Sequence, residues 1–127
     1  HNIMLRILHH KSDGLLNDAK VLRDAISDYD VDCIDYDEIH VLRETPIRLP
    51  VRRIQIFLEH LYENALVYGL INVYAPNIEW MSKKDIDILS RHPNIRILAK
   101  TRMAHNVLSN AFSNQLHFTS WDSRDMY

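Results

Sequence analysis

The stretch "LINVYAPNIEWMSKKDIDILSRHPNIRILAK", Leu70 to Lys100, decides the fold. It opens on the apolar run LINVYA, which suits a buried strand and stops at Pro76. Ser82 with Asp85 three residues later has the form of a capping box, so a helix is expected over Lys83–Arg91. Pro93 stops that helix, and IRILAK reads as the next strand. Strand, helix and strand with no hairpin signal between them make a βαβ unit, which joins parallel strands.

The same alternation extends outward in both directions. IMLRIL is a first strand, and Ser12 or Asp13 can cap a helix whose apolar stripe is Leu15, Ala19, Leu22 and Ile26. VDCIDY is a second strand. The segment 37–53 holds two prolines and reads mainly as loop. Ile54 to Leu58 is a third strand, and LYENALVYG is a short helix closed by Gly69. Beyond Lys100, Ala104, Val107, Leu108 and Ala111 share one helical face, and QLHFTS is a sixth strand. The expected architecture is α/β: one doubly wound, mainly parallel, Rossmann-like sheet of six strands, with helices on both faces and residues 1–127 in a single domain.

Bulk composition narrows the function. The 127 residues are 46% apolar and 25% charged, ordinary for one globular domain. A net charge of -2 argues against a general nucleic-acid footprint. Cys33 is the single cysteine, so no internal disulfide forms, and a reducing, cytoplasmic setting is expected. No apolar run reaches the ~18 residues of a membrane span. Two glycines cannot build a glycine-rich phosphate cradle. No His-x-x-x-His pair or cysteine partner is present, so no metal site is read.

An open parallel sheet binds ligands beyond the carboxyl ends of its strands. His9, His10, Ser12 and Asp13 follow the first strand, and Glu59 and His60 follow the third. Asn77, Glu79 and Trp80 follow the fourth, Lys100, Thr101 and Arg102 the fifth, and Thr119, Ser120 and Asp122 the sixth. Each has a plainer reading. Trp80 can be an aromatic at the core edge, and Glu79 a solvated carboxylate at a helix start. Thr101 reads best as an N-cap, and Lys100 and Arg102 can simply pair with acids.

Three elements, NVYAPNIEWM, RILAKTRMAHNVLSN and LHFTSWDSRDMY, resemble a segment of glycosyltransferases of the two-lobed GT-B architecture. The likeness covers the second half of the chain; the first half fits only as a generic first βαβ. It implies an N-terminal, acceptor-side lobe, with the nucleotide-sugar donor bound mainly by a C-terminal lobe or partner subunit. It implies no other cofactor. Under it, His10 with Asp13 is the candidate base pair, and Glu79 is a second base or an acceptor ligand. Trp80, Asn77, Lys100, Arg102, Ser120 and Glu59 are candidate substrate contacts. The chain alone is expected not to turn over. The alternative is a non-catalytic Rossmann-like or flavodoxin-like binding or interaction module.

Overall fold

The computed structural model describes residues 3–10, 20, 24, 30–38 and 52–118. Six strands form one sheet: β1 (Ile3–His9), β2 (Asp30–Asp35), β3 (Arg52–Leu58), β4 (Ile71–Ala75), β5 (Arg96–Ala99) and β6 (Leu116–Phe118). Every pairing is parallel, and the strand order is β2-β1-β3-β4-β5-β6. The expected Rossmann-like α/β fold is therefore observed. β3 starts earlier than its apolar run because β1 offers it partners: Ile3 pairs with Arg52 and Met4 with Arg53.

Two helices are fully described, α1 (Lys83–Arg91) and α2 (Arg102–Phe112). The α1 capping box is complete: Ser82 Oγ accepts from the Asp85 amide at 3.2 Å, and Asp85 Oδ2 accepts from the Ser82 amide at 2.9 Å. Thr101 caps α2 by accepting from the Ala104 amide at 3.1 Å. The buried row of α2 is Ala104, Leu108 and Phe112, at steps of four residues. Val107 is 58% exposed and Ala111 is exposed, so the expected broader stripe narrows at those two positions.

The main core lies on one sheet face. Leu8, Phe57, Tyr74 and Ile97 meet Ile88 and Leu89 of α1 and Leu108 and Phe112 of α2. Each such side chain contributes roughly 1.5–3 kcal/mol relative to its exposed state. Ile7, Ile56, Leu58 and Ala75, which alternate with that set along the strands, form a second buried cluster.

Glu63–Tyr68 is a 3-10 segment rather than an α-helix. Its entry residue, Tyr62, gives no side-chain cap. The side-chain amides of Gln55 (2.9 Å) and Asn72 (3.0 Å) also donate to its Ala65 and Leu66 carbonyls. The Gly69 amide reaches only three residues back, to Leu66. Gly69 itself is extended (φ -113°), so it is not the left-handed helix terminator expected.

Candidate functional site

Because all six strands run the same way, their carboxyl ends share one rim. Strand order reverses between β1 and β3, where an open sheet of this kind leaves a crevice. His10 follows β1 at that point, and Glu59 and His60 follow β3. One potential ligand atom from each of the three lies within 4.8 Å of the others, and all three residues are half-buried. The His10 ring packs edge-on against Tyr36 (centroids 4.5 Å) and against His60 (5.7 Å).

The β3 end is held in an unusual turn. The His60 amide bonds back to the Leu58 carbonyl at 2.9 Å, so Leu58, Glu59 and His60 make a three-residue γ-turn. Its centre, Glu59, has φ 72°, the only positive φ at a non-glycine among the described residues. That is the rare, strained form of the turn. Two tyrosines hold it. Tyr36 Oη shares its one proton between the Leu58 and His60 carbonyls, and Tyr74 Oη donates to the Glu59 carbonyl. Burial, with neighbouring acidic and phenolic groups, raises both pKa values, so both hydroxyls keep the proton they donate. Strain pinned by surrounding hydrogen bonds concentrates at functional sites. Glu59→Gly is expected to raise the unfolding free energy by up to about 1 kcal/mol, since glycine adopts positive φ freely but loses more entropy on folding. Urea denaturation at neutral pH measures it; a loss of stability would show that the turn carries no strain.

A buried carboxylate orients His60. Asp85 Oδ2 lies 2.8 Å from His60 Nδ1, and Asp85 Oδ1 accepts from the Leu61 amide at 2.9 Å. Ser82 adds its amide and its hydroxyl to Oδ2, each at 2.9 Å. Burial raises the Asp85 pKa. The hydrogen bonds from Leu61, Ser82 and His60 outweigh it, and the carboxyl sits below its ordinary range. Asp85 therefore fixes the proton of neutral His60 on Nδ1 and leaves Nε2 with a lone pair. Such an imidazole can take a proton or bind a cation. Nearby, Asp35 at the end of β2 accepts from the Asp37 amide through Oδ1, while its buried Oδ2 has no hydrogen-bond partner among the described residues.

Further along the rim lies a second concavity of about 220 Å³, lined by Pro76, Asn77, Glu79, Trp80, Lys100 and Thr101 among others. Glu79 and Trp80 occupy one 3-10 turn, Ile78–Trp80, and both are exposed. Trp80 is 62% exposed, which removes its reading as a core-edge aromatic. Lys100 Nζ donates to Asn77 Oδ1 at 3.0 Å and ties the β4 and β5 loops together. Arg102 opens α2 and is exposed. A larger hollow of about 370 Å³ lies at the opposite end, against Ile71, Arg96 and Gln115. It sits at the amino ends of β4 and β5, away from the converging titratable groups, so the carboxyl rim is the better candidate.

The rim thus unites Asn77, Glu79, Trp80 and Lys100 in one group, and His10, Glu59 and His60 in another. Asp13, Ser120, Thr119 and Asp122 lie outside the described residues. Among the described residues, Asp85 pairs with His60; the expected His10–Asp13 pair includes a residue outside them. Asp85 went unnoticed as a site residue because its capping-box role already accounted for it.

Fold and rim define a doubly wound parallel α/β domain with a polar carboxyl edge. No protein-family model, curated protein or solved structure matches this chain. Among the described residues no helix is long and apolar enough to cross a membrane.

Proposed function

We propose that this chain is the acceptor-binding lobe of a glycosyltransferase, and that the Asn77–Lys100 concavity takes the sugar. One observation supports this most: an exposed indole beside an exposed carboxylate, in one short turn at the carboxyl rim. An indole face covers the C–H side of a pyranose, while carboxylate and amide groups take its hydroxyls. Lys100 holds Asn77 in place, and Arg102 stands at the α2 N-terminus, where the helix dipole favours an anion such as a departing diphosphate. The donor nucleotide-sugar is bound by a second lobe or subunit, so the chain binds sugar and transfers none by itself.

Saturation-transfer NMR with a panel of sugars and nucleotides tests this. Sugar signals without nucleotide signals are expected, and Trp80→Ala should weaken sugar binding by about five- to thirtyfold, the loss of ~1–2 kcal/mol of ring contact. Sugar binding unchanged in Trp80→Ala, or sugar transfer by the purified chain alone, would sink the proposal. The strand order also contains the flavodoxin-like sequence 2-1-3-4-5, which favours a non-catalytic binding module as the second reading. Nucleotide or flavin signals with no sugar signals would select it.

A further inference from the structure

We propose that His10, Glu59 and His60 bind one divalent transition-metal ion, with zinc as the best fit. Three independent features converge on it. The first is the donor set: two imidazoles and one carboxylate, whose ligand atoms lie within 4.8 Å of one another. Two histidines and a glutamate are a zinc set that leaves a fourth position for water or a ligand oxygen. A tetrahedral ion with bonds of about 2.0–2.2 Å needs donors roughly 3.4 Å apart. Rotations that bring each donor in by about an ångström would close the cluster, and half-buried side chains have room for them.

The second feature is Asp85. Histidines that bind metal usually give their other ring N–H to a carboxylate, which sets the tautomer and raises the basicity of the ligating nitrogen. Asp85 does this for His60 at 2.8 Å, and it is 1% exposed and anchored by Leu61 and Ser82. A solvated surface histidine would not need such a brace. The third is the γ-turn. Its positive φ falls on one donor, Glu59, directly before another, His60, and the turn is held by two tyrosine hydroxyls. Among the described residues no hydrogen bond or ion pair of its side chain calls for a glutamate there, where glycine or asparagine would be easier. A requirement for the Glu59 carboxylate beside the His60 ring accounts for the strain. The cluster also sits at the β1/β3 reversal of strand order, where the sheet itself opens a crevice. The inference does not depend on the carbohydrate reading, because the metal alone is its ligand.

The test uses the whole 127-residue chain, stripped with a chelator, desalted, and titrated with Co²⁺, then with Zn²⁺ in competition. One Co²⁺ per chain is expected, with the intense visible absorption of a four-coordinate site, displaced by Zn²⁺. His10→Asn and Glu59→Gln should each weaken binding by at least tenfold and alter the spectrum. Asp85→Asn, which keeps all three donors, should weaken it by about 10–100-fold. His117→Asn, an exposed histidine on β6, should change nothing. His60→Gln should abolish the spectrum; if it unfolds by releasing Asp85, His10→Asn and Glu59→Gln decide. No stoichiometric Co²⁺, or Co²⁺ binding that survives both of those substitutions, overturns the site.

Discussion

Asp85→Ala is expected to lose about 3–5 kcal/mol of folding stability, read as a lower urea midpoint with chelator present. One carboxylate, 1% exposed, answers four donors: the Leu61 amide, the Ser82 amide and hydroxyl, and His60 Nδ1. Alanine leaves the Leu61 amide buried without a partner, at a cost of roughly 1–3 kcal/mol. It also removes half of the α1 capping box, worth about 1 kcal/mol, and opens a void beside Tyr74 and Leu61. Asp85→Asn keeps the shape and an acceptor oxygen, so its loss should be well under half as large. The same pair of variants reads the charge. Asp85 has a depressed folded pKa, so its contribution is complete above the ordinary carboxylate value and falls away as pH drops through the folded one. The wild type should therefore lose stability more steeply than Asp85→Asn on acidification below about pH 4. Equal slopes, or a loss under 1 kcal/mol in Asp85→Ala, would mean that the network is not coupled to folding.

How legible the site was depends on the distance in sequence between its parts. Local grammar carried well. The Ser82–Asp85 spacing placed α1 to the residue, and Thr101 was readable as a cap because a cap is decided within four positions. The alternation of short apolar runs with amphipathic segments fixed the parallel sheet. Glu79 and Trp80 were legible as rim residues for the same reason: they follow a strand end directly. The His10–Glu59–His60 cluster was not legible. His10 and Glu59 meet only because β3 pairs with β1 rather than with β2, and no local spacing records that choice. A His-x-x-x-His spacing marks donors along one helix, whereas these donors come from two strand ends. The strained turn was equally hidden, since a glutamate carries no sequence mark of positive φ. Val107 and Ala111 failed for another reason. Periodicity shows which residues share a helical face, but not how wide a stripe the sheet will cover.

Gly69→Ala is the second large effect, with an expected loss of about 2–4 kcal/mol. The backbone there is extended, so no special φ is at stake, and the effect is one of space. A Cβ at Gly69 would stand 2.6 Å from Asn72 Oδ1, 2.7 Å from Gln55 Nε2 and 2.9 Å from Gln55 Cγ. These atoms cannot simply step aside. Gln55 is fully buried; its amide donates to the Ala65 carbonyl and to Asn72 Oδ1, and its Oε1 accepts from Arg6 at 3.3 Å. Asn72 in turn donates to the Leu66 carbonyl. The network thus adds side-chain bonds to the carbonyls of the 3-10 segment, and the methyl group lands on its centre. Moving Gln55 costs its buried amide the Ala65 and Asn72 oxygens, and moving Asn72 leaves the Leu66 carbonyl with the Gly69 amide alone. Overpacking alone costs about 1–3 kcal/mol, and one unmet buried group adds ~1–3 kcal/mol. The double variant Gly69→Ala/Asn72→Ala separates the two terms: it relieves the 2.6 Å contact and should recover part, not all, of the loss. Gly69→Ala at wild-type stability would show that Gln55 and Asn72 can repack, and that the glycine serves the turn rather than the amides beneath it.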